Sequence, residues 1–336
     1  MLYFLELWIR ENSGPCCKLG PALSQAAGLV VTGSSDFTLS VWRLADGACL
    51  RTLSGHAYSV SAVVDVGGGR VASGGSDSML CVWDVLSGKL LQYIPTGKGW
   101  IWCAAALWGD RFATGHSGGK IRIWSLREGW RAAGVLRGHM KPVCSLAVVG
   151  GGTVQRLMAS GSHDCSVRLW DVDAGTCTAV LIGHAHFVRC LVDLGGGRLL
   201  SGSYDGSLRV WNTATGTCLA VVPNAHGAGD GGDILATCGL PGGAATGSGG
   251  GSVQLWRWDE GASALTPDGA ARQLEDDGVY SLAAAPGPDG ALQLLAGCGD
   301  GTVRVLGRYG AGGALQQQAE LVGHAASVSA VFVMRP

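Results

Sequence analysis

The sequence is poor in charge. Only 15% of its 336 residues are Asp, Glu, Lys or Arg, and these nearly cancel to a net charge of −1. Without a basic excess it has little means of neutralising a row of phosphates, which argues against duplex nucleic acid as the main partner. Its twelve cysteines contain no Cys-x-x-Cys pair, so the paired spacing of a structural zinc site is missing. The apolar opening, Met1–Ile9, contains Glu6, lacks a basic flank and is far too short to cross a bilayer. Neither a secretory signal nor a membrane anchor is expected from it. Gly247–Gly251 is glycine-rich, yet no Lys-Ser/Thr follows it, so it reads as a hairpin turn rather than a phosphate loop.

What is present is a repeat. In Ile182–Leu219, Gly183-His184 leads into two apolar runs, Val188–Leu194 and Arg198–Ser201. A turn at Ser203–Gly206 and the alternating run Leu208-Arg209-Val210-Trp211 follow, with strand periodicity. The turn aspartate precedes a tryptophan by six residues at Asp36/Trp42, Asp77/Trp83, Asp164/Trp170 and Asp205/Trp211. Gly118/Trp124, Gly250/Trp256 and Asp300/Leu306 are degenerate copies. Successive copies are 41, 41, 46, 41, 45 and 50 residues apart. Three and five residues after the turn position every copy is apolar, from Leu39/Val41 to Val303/Val305. Glycine, 57 residues in all, reads as compositional bias within a folded β protein.

Seven copies of about 40 residues, opening on Gly-His and closing near Trp-Asp, resemble the WD-repeat β-propellers. The resemblance implies an all-β, seven-bladed ring over residues 19–336, with residues 1–18 as an N-terminal extension. Its blades centre on Trp42, Trp83, Trp124, Trp170, Trp211, Trp256 and Leu306. Gly323-His324 and Val328–Val333 form the opening of an eighth copy, whereas the first copy has a poor first strand. Pairing the two would close the ring and remove its exposed edges. The competing arrangement gives that strand to Leu19–Ser24, although Pro21 weakens it.

The resemblance also implies a buried histidine–hydroxyl–aspartate–tryptophan tetrad in each complete blade. The sets are His56/Ser73/Asp77/Trp83, His139/Ser160/Asp164/Trp170, His184/Ser201/Asp205/Trp211 and, across the closure, His324/Thr32/Asp36/Trp42. A His–Ser–Asp trio suggests a hydrolase, but fourfold repetition with a tryptophan at fixed spacing is what blade packing requires. No Gly-x-Ser-x-Gly elbow surrounds Ser73, Ser160 or Ser201. Lys98 stands where blade three should carry its histidine, and Glu275 where blade seven should, so blades three, six and seven are expected to be softer. His184-Ala185-His186 lacks partners for a metal. No catalytic, cofactor or metal residues are assigned.

In such propellers the loops after Gly-His and before the turn aspartate line a narrow face where partners dock. Here they carry Tyr58, Trp100, Lys141, His163, His186, Phe187 and Tyr204, with Asp276 and Asp277 adding negative charge. Exposed loop aromatics are the residue types that interface hot spots favour. Cys49, Cys177 and Cys218 recur seven residues after a tryptophan, and with Cys144 and Cys190 read as packing residues in a reducing compartment. The expectation is a non-catalytic scaffold binding proteins or peptides, monomeric within a larger complex, in cytoplasm or nucleus, with no cofactor, nucleic acid or membrane. The repeat wording around Arg189-Cys190-Leu191 and Thr215–Cys218 is also similar to propellers of F-box- and RING-type ubiquitin-ligase proteins. That suggests a substrate-recruiting subunit as the alternative. Trp124-Ser125-Leu126-Arg127 approaches the Trp-Asp-x-Arg signature of cullin-adaptor-binding propellers, with Ser125 breaking it.

Overall fold

A computed structural model describes residues 28–97, 99–127, 129–150, 157–227, 232–274, 278–286, 291–308 and 314–334. These residues form seven antiparallel sheets in a closed ring. Blade two shows the plan: Val60–Gly67 is innermost, followed outward by Arg70–Gly75, Met79–Asp84 and Leu90–Pro95. The innermost strands of blades three to seven begin at Ile101, Val143, Val188, Ile234 and Val279. Blade one takes its innermost strand from the other end of the chain: Val328–Val333 pairs with Leu29–Ser34. The ring closes through this pairing; residues 19–24 of the competing arrangement lie outside the described residues. Each innermost strand touches those of its two neighbours, blade seven meeting blade one.

The apolar pairs singled out in the sequence are all buried, including Leu39/Val41, Leu208/Val210 and Val303/Val305. They sit on each blade's third strand and fill the layers between blades. Glycine makes those layers thin. A Cβ on Gly74 would lie 2.5 Å from Ile101 Cγ2 of the next blade, and Gly33, Gly115, Gly161, Gly202, Gly247 and Gly297 meet the next innermost strand in the same way. Seven glycines are thus fixed by close approach of neighbouring sheets, which composition alone did not reveal.

Three repeated backbone features build one rim. First, the residue after the turn position is left-handed in every blade: Phe37, Ser78, Gly119, Cys165, Gly206, Gly251 and Gly301 have φ between 63° and 88°. Second, the residue before the turn position donates its N–H to the carbonyl of the residue preceding an innermost strand. The seven pairs are Ser35–Ser327, Ser76–Ser59, Ser117–Trp100, His163–Pro142, Tyr204–Phe187, Gly249–Asp233 and Gly299–Gly278. Third, every innermost strand carries a bulge at its second residue, which leaves Ser61, Trp102, Cys144, Arg189, Leu235, Tyr280 and Ser329 unpaired in the ladder. A bulge re-aims its side chain. The chain therefore presents, blade by blade, the same positions with different side chains.

Candidate functional site: a buried tetrad and an aromatic rim

The tetrads link that rim to the blade interior. In blade two His56 Nδ1 lies 2.7 Å from Asp77 Oδ2, His56 Nε2 is 2.8 Å from Ser73 Oγ, and Trp83 Nε1 donates to Ser73 Oγ at 2.8 Å. His139, Asp164, Ser160 and Trp170 repeat this with all three distances at 2.7 Å. His184 meets Asp205 at 2.9 Å and Ser201 at 2.7 Å, with Trp211 donating at 2.8 Å. Across the closure His324 meets Asp36 at 2.8 Å and Thr32 at 2.7 Å, and Trp42 donates to Thr32 at 2.9 Å. Indole N–H only donates, so the hydroxyl oxygen accepts from tryptophan and gives its proton to His Nε2. Nδ1–H is then directed at the carboxylate. The glycine of Gly-His has a reason as well: a Cβ on Gly55 would sit 2.9 Å from Trp83 Cη2, and one on Gly323 2.8 Å from Trp42 Cη2.

Each aspartate also accepts the backbone N–H that follows its histidine, as Asp205 does from Ala185 at 2.8 Å, and the N–H two residues beyond itself, as from Ser207 at 2.9 Å. Burial opposes ionisation of Asp164 and Asp205. The hydrogen bonds from His139 and His184 and from Ser166 and Ser207 outweigh it and hold both carboxyls far below their usual value. Asp36 and Asp77 are lowered against the same burial, chiefly by Thr38 and by His56 respectively. Ser73, Ser160 and Ser201 are buried, with their hydroxyls bonded to tryptophan and histidine, so these trios cannot reach a substrate carbonyl. The one Gly-x-Ser-x-Gly spacing in the chain, Gly115–Gly119, is a strand-to-strand turn, and Ser117 Oγ accepts from Trp100 N–H at 3.0 Å.

Blades three and six are less depleted than the sequence suggested. In blade three His116 comes from the second strand itself, at the position Gly75 holds in blade two. Its Nε2 lies 2.9 Å from Thr114 Oγ1, which also accepts from Trp124 Nε1 at 2.8 Å. Burial first, then the charge of Arg122, push its imidazole down to about 4. Blade six keeps His226, which meets Thr246 Oγ1 at 2.8 Å and Ser252 Oγ at 2.5 Å, so serine stands where aspartate would. Trp256 donates to Thr246 at 2.7 Å. In blade seven Ala296 replaces the serine and Leu306 the tryptophan. Asp300 pairs there with the buried Arg304 at 2.9 Å; Glu275 lies outside the described residues. Periodicity searches miss His116 because it is one strand away from the expected site. Its signal was a histidine where the neighbouring blades carry glycine or serine.

The expected rim residues separate into two groups. Trp100, His163, His186, Phe187 and Tyr204 form one chain of ring contacts across blades three to five, with Trp102 as the link. The centroids are Trp100–Trp102 6.3 Å, Trp102–His163 5.4 Å, His163–Phe187 4.0 Å and His186–Tyr204 5.8 Å. Arg189 lies over Trp102 at 5.5 Å. Lys141 is exposed beside this band, close enough with Arg189 and His186 to add to burial in lowering His163. Tyr58 stands apart, 59% exposed and packed on Phe37 at 6.1 Å. Trp102 and Arg189 were missed because they lie inside a strand, where only the bulge turns them toward the band. Asp276 and Asp277 lie outside the described residues.

Two cysteine readings need correction. Cys49 and Cys218 are exposed on outermost strands, where the blade's edge leaves them uncovered, so they do not pack. Cys144 and Cys190 are buried, and burial pushes their thiols up to about 11 and about 12. Among the described residues no His/Cys/Asp/Glu group could hold a metal, and no helix is long and apolar enough to cross a membrane.

Comparison with known proteins agrees with this geometry. The family model described as "WD domain, G-beta repeat" matches residues 47–84, 130–171, 175–212 and 272–305. The chain is 41% identical over 63 residues to nuclear distribution protein nudF 2 of Aspergillus clavatus, covering 18% of the chain and 14% of that protein. It is 54% identical over 43 residues to the lissencephaly-1 homolog of Schistosoma mansoni, covering 13% and 10%. To cell division control protein 4 of Saccharomyces cerevisiae it is 45% identical over 56 residues, covering 17% and 7%. The chain thus spans a small fraction of the curated relatives it matches. Solved structures of U3-55K and of the RRP9 WD40 repeats superpose with TM-scores of 0.71 and 0.72 at 22% identity. Each covers 81% of this chain, and 85% and 84% of the respective structure, and at that identity they establish the fold. Proteins with such propellers generally serve as non-catalytic scaffolds for other proteins. With four repeats matched, all seven blades formed and the ring closed by its last strand, the chain carries WD repeats and folds as a seven-bladed β-propeller.

Proposed function

We propose that this protein is a non-catalytic scaffold that holds a partner protein or peptide on the rim of blades three to five. The observation that carries this reading is the unbroken aromatic band from Trp100 to Tyr204. Trp100 is 51% exposed and His186 is exposed, while Trp102, His163, Phe187 and Tyr204 stand half-buried behind them. A rigid, partly desolvated aromatic surface is inexpensive to order and suits a binding hot spot. Proteins recovered with tagged wild type should be lost from a Trp100→Ala/Phe187→Ala/Tyr204→Ala variant that melts at the wild-type temperature, and retained by Tyr58→Ala. An unchanged set would overturn the assignment of the rim.

The repeat wording supports a narrower second reading, recruitment of substrates to a ubiquitin ligase. Arg127, the arginine of the broken Trp-Ser-x-Arg signature, is paired with Asp110 at 2.6 Å. Recovery of no cullin, adaptor or ubiquitin machinery with the tagged protein would exclude this reading. For location we favour a reducing compartment, cytoplasm or nucleus, supported by the buried, protonated thiols of Cys81, Cys190 and Cys238.

A further inference from the structure

The aromatic band has a sign of charge as well as a shape. Arg189 and Lys141 flank it, and both lower His163 together with His186. The two nearest carboxylates are already engaged. Asp164 accepts from His139, Met140 and Ser166, and Asp205 from His184, Ala185 and Ser207, in both cases through both oxygens. Both stay ionised, but their oxygens are taken up within their own blades, and among the described residues neither Arg189 nor Lys141 is held in an ion pair with them. Donors are left over there too. Trp102 Nε1 and Arg189 Nε are both withdrawn from solvent, and neither has an acceptor among the described residues. They belong to stacked groups at the bulges of blades three and five, with the Cys144 bulge of blade four between them.

We infer that the partner segment held on this rim is an acidic peptide: an extended chain that seats one aromatic or aliphatic side chain on Phe187 and Tyr204 and directs a neighbouring carboxylate to Arg189, with Lys141 outside it. This rests on the scaffold reading above and supplies its partner chemistry. Each feature has a task. The stacked rings offer an apolar bed, and the guanidinium, held over Trp102, offers fixed donors to a carboxylate. The charge steers approach and rejects basic segments. A single-stranded nucleic acid could also stack on aromatics, but it needs a groove that tracks many phosphates. Here two cations stand alone, and blade six brings Asp233 to the equivalent rim position.

The test uses the whole protein and three labelled nonapeptides, each with a central tyrosine flanked by glutamates, glutamines or lysines, beside a labelled oligouridylate. Fluorescence anisotropy should place the glutamate peptide first, at least about tenfold above the glutamine peptide, and raising salt should narrow that gap. Arg189→Gln should remove most of the preference. Because Arg189 lies within a strand, Lys141→Glu, on an exposed loop, provides a second variant; it should shift preference toward the lysine peptide. Equal binding of the three peptides, tighter binding of the oligouridylate, or a glutamate preference indifferent to both variants would overturn the inference. If capture depends on the aromatic residues but the peptides are not discriminated by charge, the scaffold reading stands and the acidic partner falls. If neither depends on the rim, both fall.

Discussion

Blades five and three do the same job with different residues. In blade five the histidine arrives from the loop ahead of the innermost strand and is clamped by Asp205, so the tetrad also ties that loop to the turn. In blade three the histidine comes from the second strand, and Gly118 replaces the aspartate. Both place an imidazole against the hydroxyl that accepts the tryptophan indole. The requirement common to both is therefore a partner for a buried hydroxyl–indole pair, which would otherwise leave polar groups unsatisfied in the sheet interior. The clamp is the extra element: blades one, two, four and five make it with aspartate, and in blade six Ser252 takes that place on His226.

The largest effect should come from removing what makes either blade part of a ring. Truncation after Leu321 deletes Val328–Val333 and His324, leaves Leu29–Ser34 as an open edge and should yield aggregated protein by size-exclusion chromatography. Next, His184→Ala should cost about 3 kcal/mol in urea unfolding, because Asp205 keeps its charge and loses its strongest partner. His116→Ala, which strands no carboxylate, should cost only about 1–2 kcal/mol. Equal losses would mean that the clamp adds nothing.

Acid should separate the blades as well. His116 titrates near 4 when folded against 6.5 when free, so the unfolded chain binds the extra proton between those values. The stability is intact above 6.5 and falls as pH drops toward 4, by about 3 kcal/mol in total. In His116→Asn that slope should disappear. The aspartates Asp36, Asp77, Asp164 and Asp205 are depressed below 3.8, so their contribution is intact above that value and is lost only as pH falls through their lower folded values. The smallest effect is a gain. Cys165 sits at φ 67° where blades five and seven have glycine, so Cys165→Gly should stabilise by up to about 1 kcal/mol in the same unfolding measurement.

The repeat made the ring legible, because seven buried apolar pairs and four tetrads fall at fixed spacing. His324 could be joined to Thr32 across 292 residues for the same reason. Two kinds of information were hidden. Gly33, Gly74 and their five counterparts are dictated by the neighbouring blade, a contact that no spacing within one repeat expresses. Trp102 and Arg189 read as ordinary strand residues, and only the bulge turns them into the rim. Loop positions such as Trp100 and Tyr204 were visible individually. Their contiguity depended on which blades stand side by side.

The central claim is that this rim, rather than the exposed outer strands, is the working surface. Hydroxyl-radical footprinting of the tagged protein, free and in the complexes it carries out of native extract, tests it directly. The account predicts that Trp100, Phe187 and Tyr204 lose reactivity in the complexes while Leu90 and Tyr93 on blade two's outermost strand do not. Protection of Leu90 and Tyr93 with an unchanged rim would contradict it.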